Sequence, residues 1–161
     1  MLLRIQRRGT RPQAGLTLLE LIIACSILII LASAALPVTR VTIRRQKEIE
    51  LHRALREIRS AIDRYKDTAD RNLIQVEVGT EGYPPDLDTL VEGIGAANDA
   101  SGRMLKYLRR IPIDPMTSSQ DWGKRAYQDD PDTTAWGGKN VFDVYTKSTG
   151  TALDGTKYRD W

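Results

Sequence analysis

Between Leu16 and Leu36 the chain runs 21 residues with a single ionisable acid, Glu20, and this stretch limits the fold more than any other part of the sequence. As an α-helix it extends about 31 Å, at about 1.5 Å per residue, which matches the hydrocarbon thickness of a bilayer. Such a segment has to be hidden in lipid or in protein. A carboxylate within it costs about 2.5–3.5 kcal/mol on insertion scales, so Glu20 requires a partner or a task. Arg4, Arg7, Arg8 and Arg11 precede the segment, with no acid before Gly15. Because Arg40, Arg44, Arg45 and Lys47 follow it closely, flanking charge leaves its orientation open.

With 161 residues there is room for one modest domain besides this segment. The net charge of +3 comes from the N-terminal arginines. Without residues 1–15 the chain has 20 basic and 21 acidic side chains, so bulk charge gives no ground for a nucleic-acid partner. Cys25, the only cysteine, excludes an intrachain disulfide and a cysteine metal cluster, and reads as a small buried hydrophobe. His52, the only histidine, lies on a charged helix face and reads as solvated. The residues assemble no nucleophile, base and orienter, and no glycine motif cradles a phosphate, so no enzyme is expected.

Pro37 removes a backbone donor and predicts a kink, with helix resuming from about Val38. Leu51, Leu55, Ile58, Ile62, Tyr65 and Ala69 follow at steps of three and four, a helical stripe facing a core, and Arg53, Glu57, Arg64 and Lys66 form the opposite, solvated face. Together these pieces predict one helix of roughly 50 residues, about 75–80 Å long. Beyond it, Asn72 to Gly82 reads as a loop containing a short alternation at Ile74–Val78. A helix after Pro84-Pro85 stops at Gly93, and Gly93 to Gly102 reads as a flexible connection. Arg103 to Arg110 reads as a short helical turn. Two strands are expected at Trp122–Gln128 and Asn140–Thr146, joined by Asp129–Gly138.

Three readings of the apolar segment arise. It is a cleaved secretory signal with Ala32-Ser33-Ala34 as the cutting site, an uncleaved anchor, or a helix retained after processing upstream. The third follows from Gly15-Leu16-Thr17-Leu18-Leu19-Glu20, which resembles the leader junction of type IV pilins and type II secretion pseudopilins. The resemblance implies that a prepilin peptidase cuts between Gly15 and Leu16 on the cytoplasmic side and methylates Leu16, so that Glu20 becomes the fifth residue of the mature chain. Pro37 stands where that family commonly has a helix-kinking proline. In this setting Glu20 gains a partner in the freed Leu16 amine, of its own chain or a neighbour's, and acts as a register device in a filament core.

Farther along, Tyr83-Pro84-Pro85-Asp86-Leu87, Tyr107-Leu108-Arg109-Arg110-Ile111-Pro112-Ile113-Asp114-Pro115, Phe142-Asp143-Val144 and Asp154-Gly155 resemble, in that order, motifs of the major pseudopilins of type II secretion. Leu16 replaces the phenylalanine common in the superfamily, and Met116 the tryptophan common in that subgroup. The connection from Met116 to Gly138 is longer than usual for it. The fold implied is α+β and type IV pilin-like, a long N-terminal helix packed on a small antiparallel sheet. Its organisation would be a leader at 1–15, a transmembrane and filament-core helix at 16–36, an amphipathic continuation at 37–70 and a periplasmic head at 71–161.

The function implied is that of a structural subunit of a pseudopilus that drives protein export across the outer membrane. The alternative is a type IV pilin, major or minor, serving adhesion, motility or DNA uptake. Implied partners are further copies of the chain, minor pseudopilins, the prepilin peptidase, an inner-membrane assembly platform and membrane lipid, with the head in the periplasm. Asp154, Asp160 and Thr151 in the C-terminal tail offer hard oxygen ligands, and the resemblance implies a structural Ca²⁺ there. With about 90 residues and no disulfide, the head would gain from an ion that crosslinks its last loop.

Overall fold

The computed structural model describes residues 17–97, 102–131 and 133–161, and at 34–39 the backbone alone. Helix α1, Leu18–Asp70, runs 53 residues. Its start follows from Thr17, whose Oγ1 accepts the Glu20 backbone N–H at 3.3 Å and whose carbonyl accepts that of Leu21 at 3.1 Å. Thr17 and Glu20 have the spacing of a capping box, and the threonine takes up an amide that the first turn leaves without a helical acceptor. The backbone at Pro37 is helical, within an uninterrupted α1; the side chain on which the expected kink rests lies outside the described residues.

The chain divides into two compact units, residues 1–41 and 42–161, and the boundary falls inside α1. In the first, the described residues are helical from Leu18. In the second, the stripe read from the sequence is the core: Leu51, Leu55, Ile58, Ile62, Tyr65 and Ala69 are all buried, and Ala54 and Ala61 fill the gaps between them. Against them pack Ile74, Leu87, Leu90, Leu108, Trp122, Val141, Val144, Ala152 and Tyr158. Large side chains on the helix and on the loops thus close one core without a broad sheet. The α+β, type IV pilin-like architecture expected from the sequence is the one observed.

The sheets are small. Helix α2, Asp88–Glu92, ends at Gly93, as the glycine predicts. Strand β1, Ile94–Gly95, pairs antiparallel with β2, Met104–Leu105. This corrects two expectations: part of the flexible connection is a strand, and Met104–Leu105 is extended where a helical turn was expected. The cause is tertiary, because Leu90 O accepts the amides of Tyr107 and Leu108 at 3.0 and 2.9 Å and so binds the following segment to α2. Strands β3, Gly123–Arg125, and β4, Asp143–Tyr145, form the second antiparallel pair, inside the two strands expected but shorter. Only glycine fits at 123, where a Cβ would lie 2.3 Å from the Tyr145 ring.

The long connection between β3 and β4 is pinned by side chains. Asp129 Oδ2 accepts the Ala126 and Gly137 amides at 2.7 and 3.1 Å. Asn140, fully buried, accepts the Tyr127 amide at 2.9 Å through Oδ1 and donates to Gln128 Oε1 at 3.1 Å.

Candidate functional site

Two regions carry the residues singled out by the sequence. The first is the helix from Leu18 to Ser33. Every large apolar side chain from Leu18 to Leu31 is more than half exposed, and the consecutive run Ile27–Leu31 points them to all sides of the helix. The two hydroxyls in this stretch fold back onto the helix, Ser26 Oγ donating to Ile22 O and Ser33 Oγ to Ile30 O, each at 2.7 Å. Beyond Glu20 the surface they leave is apolar. Cys25, expected to be buried, is exposed, since nothing among the described residues covers it.

Glu20 stands in the first turn of α1, where unpaired amides make the helix end electropositive and favour a carboxylate. Gly15 and Leu16 lie outside the described residues, so the pairing of Glu20 with a freed amine does too. Among the described residues no helix is long and apolar enough to cross a membrane. The described side chains of the apolar run end at Ser33, and the stretch read as membrane-length continues through 34–36.

The second region is the C-terminal loop. Thr151 and Lys157 form an antiparallel bridge, and Ala152 N–H donates to Thr156 O at 2.7 Å, which closes a tight turn over Leu153–Gly155. Asp154 Oδ1 accepts both the amide of Thr156, at 2.9 Å, and its hydroxyl, at 2.7 Å. These two bonds, the backbone one first, hold the Asp154 carboxyl below its ordinary range. Asp160 lies in the short 3₁₀ turn Tyr158–Asp160, with Arg159 Nε 3.4 Å from its Oδ1.

Polar side chains of α1 hold this loop. Glu48 Oε1 accepts the Leu153 amide at 2.9 Å and the Tyr158 hydroxyl at 2.8 Å. Arg44 donates to the Tyr158 hydroxyl at 3.0 Å and to the Thr151 carbonyl oxygen. The bond to Tyr158 is the main cause that raises the Arg44 pKa, whereas desolvation is the main cause that raises that of Tyr158. One turn on, His52 is exposed, as expected, and also stacks on Trp161 with ring centroids 4.1 Å apart. Arg59 donates to Trp161 O at 2.8 Å and to Asp143 Oδ1 at 2.6 Å.

Of the three expected calcium ligands, Thr151 and Asp154 therefore share one loop with Asp160 just beyond it. The Thr151 carbonyl faces a guanidinium, and Asp154 Oδ1 is engaged by Thr156. Among the described residues no three His, Cys, Asp or Glu side chains gather to hold a metal ion. This donor set does not fit the ion as it stands.

Sequence reasoning missed Arg44, Glu48 and Arg59 as loop anchors. The only signal is spacing: Arg44 and Glu48 lie one turn apart on a helix face that continues through His52 to Arg59, beside the stripe that begins at Leu51. Arg64 and Lys66, read as solvated, also have partners, the Tyr107 carbonyl at 2.7 Å and Asp70.

Residues 10–36 match the model of the prokaryotic N-terminal methylation motif. No curated protein and no solved structure matches the chain. The matched segment covers the Gly15-Leu16 junction, Glu20 and the apolar part of α1 up to Leu36. The chain therefore carries the N-terminal signal of a type IV pilin-like or pseudopilin-like substrate of prepilin peptidase.

Proposed function

We propose that the chain is a structural subunit of a type II secretion pseudopilus, cut after Gly15, methylated on Leu16, and polymerised from the inner membrane with its head in the periplasm. The observation that carries this reading is the methylation motif at 10–36, whose segment from Leu18 onward is a helix with its apolar side chains exposed on all sides. Exposed apolar surface of this extent has to be covered, by lipid before assembly and by neighbouring helices after it. The order of motifs from Tyr83 to Gly155 favours the major pseudopilin over a type IV pilin. The role is one of assembly rather than catalysis.

Glu20 supplies the register. Unpaired in the apolar segment it is costly; opposite the Leu16 amine it is neutralised, and in a low-dielectric core the attraction selects the axial position at which they meet. Thr17, by capping the helix at Leu18, keeps the acid in the first turn of α1.

Mass spectrometry of the membrane-extracted protein tests processing: a start at Leu16 with an added methyl group is expected, and an intact Met1 or a start at Ala35 overturns the reading. Glu20→Gln is expected to leave cleavage unchanged and to reduce incorporation into filaments by tenfold or more, on the order of 1.4 kcal/mol per subunit contact. Unchanged filament growth in that variant defeats the register argument. Deleting the gene separates the two filament classes: loss of exported enzymes without loss of surface pili supports the pseudopilus, and the reverse supports the pilin.

A further inference from the structure

We propose that the C-terminal loop of this chain is held on α1 by a clasp of Arg44, Tyr158 and Glu48, in place of the calcium ion that the sequence leads one to expect. A cation that staples a loop needs acceptors turned towards it. Here the loop turns donors towards α1 instead: the Leu153 amide and the Tyr158 hydroxyl both end on Glu48 Oε1, at 2.9 and 2.8 Å. One carboxylate thereby joins the two limbs of the turn, which is the mechanical task of a bound ion performed with reversed polarity.

The acceptor that the loop does present, Thr151 O, already has a positive charge against it, the Arg44 guanidinium. The same guanidinium donates to Tyr158 Oη and lies 3.8 Å from Glu48 Oε1, so the carboxylate, phenol and cation form one connected unit. A divalent ion at Thr151 would meet this fixed charge, and would have to take Asp154 Oδ1 from the two Thr156 donors that hold it. Asp160 adds a further conflict, because Arg159 Nε stands 3.4 Å from its carboxylate. Tyr158 is buried and packs edge-on to Trp161, with ring centroids 5.1 Å apart, so its hydroxyl is presented to the clasp by a fixed ring.

Hydrogen exchange and thermal melting of the full chain in detergent micelles, with excess calcium and with excess chelator, test this. The two conditions are expected to give the same melting temperature and the same protection over 150–161. Tyr158→Phe, which keeps the ring and its packing, and Glu48→Met are each expected to speed exchange of the Leu153 amide about tenfold, with the double variant no worse than the sum of logarithms. Asp154→Asn, which retains an oxygen for Thr156, is expected to leave protection unchanged. A calcium-dependent rise in melting temperature that Asp154→Asn abolishes overturns the proposal. So does unaltered exchange in both Tyr158→Phe and Glu48→Met. Neither filament nor processing enters the measurement, so its failure leaves the assembly reading untouched.

Discussion

Asp114 keeps a carboxylate fully out of water by collecting donors for it: the Met116 amide at 2.8 Å, the Thr117 hydroxyl at 3.0 Å and the buried Thr146 hydroxyl next to β4. The Ile-Pro-Ile-Asp-Pro turn is thereby fixed to the sheet by one side chain. Asp114→Ala leaves the buried Thr146 hydroxyl without its acceptor and frees the less buried Met116 and Thr117 donors, and is expected to cost about 1–3 kcal/mol, read from the urea midpoint, while Asp114→Asn retains an acceptor and costs less. Tyr65 makes a different prediction. Burial, assisted by nearby Tyr107, Glu77 and Asp86, pushes its phenol up to about 12. A folded pKa above the unfolded value near 10 means that this contribution is complete below pH 10 and is lost as pH rises towards 12. Melting temperature should fall across that window, and Tyr65→Phe should flatten the fall.

Among the elements, the turn from α2 into β1 depends on Gly93, which adopts φ 90° and where a Cβ would meet Leu105 O at 2.8 Å. Gly93→Ala therefore combines left-handed strain with a backbone clash and is expected to destabilise the head by about 2–3 kcal/mol, measured by thermal melting. The sequence announced Gly93 as a helix stop, because glycine after a short apolar repeat has a local cause. It announced the α1 stripe from Leu51 to Ala69 equally well, since periodicity over five turns outweighs competing signals. The β1–β2 pair was illegible. Two-residue strands have no pattern to read, and their pairing follows from Leu90 O, more than a dozen residues from the amides it binds. The loop anchors were illegible for the same reason: Arg44, Glu48 and Arg59 look like any charged helix face until the tail arrives beside them.

For the whole molecule, the compact unit at 42–161 contains the entire hydrophobic core, the clasp residues and both sheets. A fragment beginning at Thr42 is expected to fold, to remain dispersed without detergent, and to melt within a few degrees of the full chain, as followed by circular dichroism and size-exclusion chromatography. The full chain should aggregate when detergent is withdrawn, because the apolar side chains of Leu18–Leu31 then face water. Aggregation of the fragment as well would show that the boundary at 41/42 is not a folding boundary.

Cys25 gives this region a natural reporter. It is the chain's sole thiol and it projects from the apolar helix. A nitroxide or an environment-sensitive dye attached there needs no cysteine removed elsewhere, and its collision rates with lipid-soluble and water-soluble quenchers distinguish three surroundings: acyl chains, adjacent subunits and bulk solvent. The passage of a single chain from bilayer to fibre thereby becomes visible as a change of signal in real time.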